Sequence, residues 1–126
     1  MNEPSSLRIC IIDDDPFIVD MYVLKFQEQG FTVETAGDGR MGIDKIREIK
    51  PHAILIDVVM PGMDGFAVFQ EIQKEQLIPK PKIVFLTNFG QKEDVDRGIA
   101  MGADAYIIKA QFTPSEVVEK VKTLLA

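Results

Sequence analysis

Five short apolar runs alternate along the chain with segments of mixed polarity. Most of these runs are continuously apolar, and alternation of polar and apolar residues is rare within them. Continuous runs of this length are typical of strands that are covered on both faces of a sheet. The sequence therefore predicts five strands, most of them covered on both faces, at residues 7–12, 31–35, 53–57, 82–86 and 104–108.

The segments between the runs have apolar residues at helical spacing. The first of them places Phe17, Met21 and Leu24 on one face, which we expect to be the apolar face of a helix that packs on the sheet. Four further helices are predicted by the spacing of Ile43, Ile46 and Ile49, of Phe66, Phe69 and Ile72, of Val95 and Ile99, and of Val117, Val121 and Leu124.

Residues that begin and end helices support these assignments. Asp15 before Pro16 is typical of an N-cap followed by proline at the first helical position. The sequence Thr113-Pro114-Ser115-Glu116 has the form of a capping box. Gly30 and Gly102 stand where glycines commonly end helices.

Regular alternation of strand and helix predicts an α/β fold, with a parallel sheet and helices on both of its faces. For five strands and five helices, the doubly wound strand order 2-1-3-4-5 is the leading candidate. In such sheets, ligands bind beyond the carboxyl ends of the strands, between the first and third strands. Functional side chains are therefore expected at that edge.

Length and composition favour one small domain. The chain has 126 residues, and we expect a polar tail at 1–6 and one domain at 7–126, with no output domain. No apolar run approaches the roughly 18 residues of a membrane span, and the first residues do not resemble a signal peptide. The net charge of -6 argues against direct nucleic-acid binding. Cys10 is the single cysteine and lies in an apolar run, so we expect a buried thiol and a cytoplasmic location.

The predicted strands end in residues that are suited to phosphoryl chemistry. Asp13 and Asp14 follow the first strand, Asp57 ends the third, Thr87 the fourth and Lys109 the fifth. The neighbouring Asp15 is explained by its capping role. Any one of the remaining residues alone is readily explained as a cap, a turn former or a surface group. Their occurrence at four strand ends of one sheet edge makes that explanation improbable.

Clustered carboxylates repel one another unless a cation compensates them, and Mg²⁺ prefers oxygen ligands. A carboxylate can also act as a nucleophile and form an aspartyl phosphate. Asp57 is the best placed for this role, because it ends the central strand just before a turn. Lys109 and the Thr87 hydroxyl would then bind phosphoryl oxygens.

Four segments together resemble the receiver domain of two-component response regulators. They read IIDDDP, LIDVVMPGMDG, FLTN and GADAYIIKA, and the resemblance extends over residues 7–125. It implies a flavodoxin-like fold in the order 2-1-3-4-5. It also implies roles for individual residues: Asp57 as phosphoacceptor, Asp14 as direct metal ligand, Asp13 as ligand through water, the Val59 carbonyl as third ligand, Lys109 as phosphoryl-binding lysine, and Thr87 and Tyr106 as switch residues.

The implied function is that of a phosphorylation-dependent signalling switch. A histidine kinase or a histidine phosphotransfer protein would donate the phosphoryl group. Mg²⁺ would be bound at the site, with Mn²⁺ as a substitute. A downstream protein would then bind the face built by the fourth helix, the fifth strand and the fifth helix. The resemblance implies a signalling module that catalyses its own phosphorylation and dephosphorylation. The charge and the short apolar runs predict no contact with nucleic acid or with a membrane.

Two alternative functions stay open at this point. A Mg²⁺-dependent phosphohydrolase with an aspartyl nucleophile would need a second aspartate two residues later, where Val59 stands. A pseudo-receiver that binds partners without phosphorylation is disfavoured by the complete set of aspartates, threonine and lysine.

The sequence departs from the family pattern at Ala110, where proline is usual, and at Asn88, where a smaller residue is usual. Asn88 and Phe89 are both expected to narrow access to Asp57.

Overall fold

The computed structural model describes residues 7–126, which form a five-stranded parallel sheet with helices on both faces. The strand order is β2-β1-β3-β4-β5, as predicted. The strands are β1 (Arg8–Ile12), β2 (Thr32–Ala36), β3 (Ala53–Ile56), β4 (Lys82–Thr87) and β5 (Ala105–Ile108). The helices are α1 (Pro16–Glu28), α2 (Gly39–Ile49), α3 (Gly65–Glu75), α4 (Lys92–Ala100) and α5 (Pro114–Leu125), and a 3-10 turn spans Lys109–Gln111. The expected polar tail at 1–6 lies outside the described residues.

The sheet separates two apolar cores. Ile9, Ile11 and Leu55 point into the core that α1 and α5 cover. Their neighbours Ile12 and Ile54 point into the opposite core, which α2 and α3 cover. Because successive residues of β1, β3 and β4 face opposite cores, both sets must be apolar, which explains why these strands read as continuous apolar runs. The edge strands β2 and β5 are only partly buried.

The predicted buried face of α1 is wrong. Phe17, Met21 and Leu24 are 83%, 51% and 56% exposed. The face that packs on the sheet and on α5 is instead the one that has Val19, Tyr22 and Phe26. Residues with apolar side chains occur almost all the way round this helix, so two stripes have helical spacing and periodicity alone cannot choose between them. Ile99 on α4 is also 49% exposed, so the predicted apolar face of α4 is only partly buried.

The predicted helix boundaries are confirmed. The Asp15 carboxylate accepts hydrogen bonds from the backbone N–H groups of Phe17 and Ile18 at the start of α1. Thr113 and Glu116 form the reciprocal capping box at the start of α5. Gly30 and Gly102 have φ values of 90° and 107°, which glycine adopts readily after a helix.

Cys10 is fully buried on β1, and burial raises the pKa of its thiol to about 12. The thiol is therefore protonated and structural, as expected. Across residues 7–126, the helices are too short or too polar to cross a bilayer.

Candidate functional site

The turns after β1 and β3 bring Asp13 and Asp57 together at the carboxyl edge of the sheet. The Asp57 N–H donates to the Ile12 carbonyl at 2.9 Å, so the residue after β3 is fixed beside the end of β1. Gly65 begins α3 directly against this turn. A Cβ atom on Gly65 would lie 2.3 Å from the Asp57 carbonyl oxygen, so the close approach of α3 requires glycine.

Lys109 joins the two aspartates. Its Nζ lies 2.6 Å from Asp13 Oδ2 and 3.2 Å from Asp57 Oδ2. The three side chains are 8%, 2% and 12% exposed, so this ion-pair cluster is largely removed from water. The predicted meeting of the first, third and fifth strand ends is therefore present in the structure.

The environment shifts the protonation equilibria of this cluster. Burial raises the pKa of Asp13 above its usual range, although hydrogen bonds from Lys109 and from the Asp15 N–H oppose that shift. Burial alone would lower the pKa of Lys109, but the hydrogen bond to Asp13 and the charge of Asp57 outweigh it and raise this pKa. Lys109 is therefore held in its charged form, ready to bind an anionic oxygen.

The acidic cluster fits a divalent cation. Carboxylate oxygens of Asp13, Asp14 and Asp57 all lie within 4.8 Å of one another. Three carboxylates face the single ammonium of Lys109, which leaves an excess of negative charge, and the Asp14 side chain is exposed to solvent. Carboxylate oxygens at an open edge match the preference of Mg²⁺ for oxygen ligands and retained waters. Val59 lines the same cleft, and the role of its carbonyl as a ligand stays a prediction.

Thr87 ends β4 beside this cluster, and its side chain is 1% exposed. The hydroxyl oxygen accepts a hydrogen bond from the Phe89 N–H at 3.1 Å. Its own proton stays available for donation to an acceptor in the cleft. The cleft has a volume of about 400 Å³ and is lined by Asp14, Asp57, Thr87 and Lys109, among others.

The segment after Thr87 is bound to β5. The Tyr106 hydroxyl donates a hydrogen bond to the Phe89 carbonyl, and its ring packs against Phe85. Burial, and then the negative charges of Asp94 and Asp57, raise the pKa of Tyr106 to about 12. The phenol therefore stays protonated and remains a donor in this position.

Ala110 gives the turn after β5 a hydrogen-bond donor that proline would lack. Its N–H donates to Asn88 Oδ1 at 2.9 Å. Within residues 7–126, the cis peptide bond is at Ile78-Pro79, so the Lys109–Ala110 bond is trans. In the sequence, Asn88 and Ala110 are two separate departures from the family pattern, whereas in the structure they are hydrogen-bond partners.

His52 and Tyr22 are two further polar side chains that are partly or fully removed from solvent. His52 lies at the opposite edge of the sheet, where it is half-buried and accepts a hydrogen bond from the Arg8 backbone N–H. Tyr22 on α1 is not among the residues predicted from the sequence. It is 3% exposed, and burial raises the pKa of its hydroxyl. The charge of Lys109 opposes this rise in pKa, and the charge of Asp13 adds to it. In the sequence, the helical spacing of three residues from Val19 indicates that Tyr22 shares the buried face of α1.

Comparison with known proteins agrees with this geometry. Residues 9–122 match the family model described as the response regulator receiver domain. The chain belongs to this family. Among curated relatives, the receiver domain is 35% identical over 118 residues to the DNA-binding response regulator MtrA of Mycolicibacterium smegmatis, a match that covers 94% of this chain and 50% of that protein. It is 36% identical over 120 residues to the regulatory protein VanRc of Enterococcus gallinarum, and this match covers 95% of this chain and 50% of VanRc.

Solved structures of receiver proteins have the same fold. The chemotaxis protein CheY4 of Vibrio cholerae superposes with a TM-score of 0.87 at 28% identity, covering 94% of this chain and 98% of that chain. A CheY-like receiver domain protein from Methanospirillum hungatei superposes with a TM-score of 0.84 at 31% identity, covering 94% of this chain and 93% of that chain. The flavodoxin-like fold is thus confirmed, and the receiver domain is a signalling module of two-component systems. It spans about half the length of the curated relatives it matches.

Proposed function

We propose that this receiver domain is switched by transfer of a phosphoryl group to Asp57. The carboxylate attacks the donor's phosphorus, the bond from phosphorus to the donor's leaving atom breaks, and an aspartyl phosphate forms on Asp57. The observation that supports this proposal best is the position of Lys109, whose ammonium lies 3.2 Å from Asp57 in a largely buried cluster.

The surrounding groups suit a phosphoryl group in chemical terms. Lys109 supplies a fixed positive charge for one phosphoryl oxygen, and the Thr87 hydroxyl supplies a proton for another. Such preorganised groups stabilise charge in the transition state without rearrangement of solvent. Val59, two residues after Asp57, offers no carboxylate, so the geometry gives no support to a phosphohydrolase.

We assign the metal site to Asp13, Asp14, Asp57 and the Val59 carbonyl, with Mg²⁺ as the natural ion and Mn²⁺ as a substitute. When bound, the ion would neutralise carboxylate charge and one phosphoryl oxygen. Asp13 also holds Lys109 in place through its 2.6 Å ion pair, so its role extends beyond the metal.

The proposed donor is a histidine kinase or a histidine phosphotransfer protein that meets this domain in the cytoplasm. The exposed stripe of Phe17, Met21 and Leu24 lies on α1, which begins two residues after Asp14. A partner that delivers a phosphoryl group into the cleft would cover this stripe, and burial of apolar surface would favour docking. This stripe is therefore the proposed docking surface for the donor.

The proposed output face is formed by α4, β5 and α5, and it has Lys92, Arg97, Glu116 and Lys120. A phosphoryl oxygen that accepts a hydrogen bond from the Thr87 hydroxyl would pull this side chain towards it. That would disturb the hydrogen bond that the Thr87 hydroxyl oxygen accepts from the Phe89 N–H. Since Tyr106 is bonded to the Phe89 carbonyl, that movement would reach β5 and α4. A beryllofluoride-bound spectrum that leaves the NMR shifts of Tyr106 and α4 unchanged would exclude this face.

Intact mass spectrometry tests the central proposal. The chain is incubated with a small phosphodonor, with and without Mg²⁺. We expect the wild type to gain one phosphoryl group in a Mg²⁺-dependent reaction, whereas Asp57→Asn gains none. Undiminished phosphorylation of Asp57→Asn would exclude Asp57 as the acceptor.

Asp15→Asn is the matched control. Asp15 lines the same cleft but caps α1, and asparagine caps a helix about as well as aspartate. This variant loses one negative charge beside the site and is expected to be phosphorylated like the wild type.

A further inference from the structure

Residues 88–90 contact the end of β5 at successive points. The Asn88 side chain accepts the hydrogen bond from the Ala110 N–H, and the Phe89 carbonyl accepts the one from Tyr106. At Gly90, an added Cβ would lie 2.5 Å from Ile108 Cδ1, so the backbone there lies directly on this side chain. The segment that follows Thr87 is therefore fastened along the strand that leads to Lys109.

The bond between Asn88 and Ala110 joins the neighbours of two functional groups. Asn88 follows Thr87 directly, and Ala110 follows Lys109 directly. A hydrogen bond of 2.9 Å between these neighbours limits how far the two segments can separate at the mouth of the cleft. It depends on both departures from the family pattern, because the bond needs the amide oxygen of Asn88 and the N–H that proline at position 110 would lack.

We infer that Asn88 is a positioning residue, which keeps Thr87 and Lys109 at a fixed separation for the phosphoryl group through its hydrogen bond to Ala110. This inference rests on the proposed phosphorylation of Asp57. Rates of phosphoryl transfer depend steeply on the placement of the groups that stabilise the transition state. Loss of the bond therefore lowers phosphorylation and hydrolysis together, because the same two groups act in both reactions.

The test removes the bond from each side. Asn88→Leu keeps a branched side chain at the rim but has no acceptor, and Ala110→Pro removes the donor. We expect Asn88→Leu to lower both the phosphorylation and the hydrolysis rate constants by about three- to tenfold, the range of a modest hydrogen bond. In the Ala110→Pro background, Asn88→Leu should change them by less than about twofold, because the bond is already absent.

Three further measurements separate positioning from other roles. Phosphoramidate and acetyl phosphate should show the same fold decrease, since positioning does not depend on donor size. The midpoint of urea unfolding should be nearly unchanged in Asn88→Leu, because the bond is exposed. Amide exchange at Ala110, followed by NMR, should become faster in this variant.

The outcomes are distinguishable from failure of the proposed function. A wild-type chain that takes no phosphoryl group overturns the proposed function and this inference together. A wild type that is phosphorylated, with rate constants in Asn88→Leu within about twofold, overturns the positioning role alone. A decrease confined to the larger donor also overturns the positioning role, since that result would show crowding at the rim of the cleft. An equal decrease in the wild-type and Ala110→Pro backgrounds overturns the positioning role as well.

Discussion

The two edges of the sheet satisfy their polar side chains in different ways. At the amino edge, side chains bond to the backbone: Arg8 donates to the Ile49 and Lys50 carbonyls, His52 accepts from the Arg8 N–H, and Asp104 accepts from the Ile83 N–H. At the carboxyl edge, Asp13 and Asp57 also accept backbone N–H groups, but both carboxylates share the ammonium of Lys109 as well.

This difference distinguishes side chains that stabilise the fold from side chains that can take part in a reaction. At the amino edge, the bonds of Arg8, His52 and Asp104 to backbone groups fix the neighbouring loops. Side chains that bond to one another, with carboxylates in excess, retain groups that can exchange partners when a cation or a phosphoryl group arrives. We therefore expect substitutions at the amino edge to change stability, and substitutions at the carboxyl edge to change reaction rates.

The largest effect is expected at Lys109. Lys109→Met removes the positive charge that faces Asp57, and loss of one such preorganised group typically costs about 100-fold or more in rate. Phosphorylation by a small donor, followed by intact mass over time, measures the loss. Lys25→Met is the control, because Lys25 pairs at the surface with Glu28 at 3.6 Å and should leave the rate unchanged. A Lys109→Met rate within tenfold of wild type would contradict this role.

The next effect concerns the amino edge. Asp104→Ala leaves the N–H of buried Ile83 without its 2.8 Å acceptor, so the free energy of unfolding should fall by about 1–3 kcal/mol. Urea unfolding measures this change, and Asp104→Asn, which keeps an acceptor oxygen, should lose less. The phosphorylation rate of Asp104→Ala should stay within about twofold of wild type. A large decrease in rate would show that the two edges are coupled.

Mg²⁺ should stabilise the carboxyl edge by mass action. At ten times its Kd, a ligand adds about 1.4 kcal/mol to the free energy of unfolding, which raises the Tm by about 3–6 °C for a domain of this size. Thermal unfolding with and without Mg²⁺ should show this rise in wild type and in Asp15→Asn, and none in Asp14→Ala. Equal rises in all three proteins would count against Asp14 as a ligand.

The smallest effect is a pH dependence at the amino edge. Burial and the charge of Arg8 lower the pKa of His52 from 6.5, in agreement with its Nδ1 accepting the Arg8 N–H at 2.9 Å. A lowered native pKa means that the folded chain binds the proton less readily than the unfolded chain. The stabilising contribution of neutral His52 is therefore complete above pH 6.5 and is lost as the pH falls through the native pKa.

His52→Asn tests this dependence, because asparagine can accept the same hydrogen bond without titrating. Between pH 7 and 5, the free energy of unfolding should fall more in wild type than in His52→Asn. Parallel curves for the two proteins would mean that His52 does not contribute.

The sequence was sufficient for the sheet because the strands face two cores. Positions 9–12 on β1 and all positions on β3 are buried and apolar, so the sites where polarity resumes mark the strand ends and hence Asp13 and Asp57. The orientation of α1 was not predictable in this way. Phe17 and Val19 are equally acceptable as members of an apolar face, and the choice depends on how α1 docks against α5 and the sheet.

The bond between Asn88 and Ala110 was beyond prediction for a different reason. It joins a side chain in one loop to a backbone group in another, 22 positions away, and no periodicity records the distance between two loops. His52 is similar, since its lone occurrence in the sequence gave no sign that the Arg8 N–H would be its donor. Sequence patterns indicated which residues gather at each edge, whereas the partners within an edge depend on backbone positions.

Gly65 has a consequence for how this protein can vary. No side-chain atom can be placed at this position without meeting the Asp57 carbonyl oxygen at 2.3 Å and Val58 Cα at 2.8 Å. Even alanine would have to push α3 away from the turn that presents Asp57 and Val59. Glycine at residue 65 therefore cannot be replaced without a shift of the backbone. An engineer who transplants the aspartate turn into another scaffold must transplant the first turn of α3 with it.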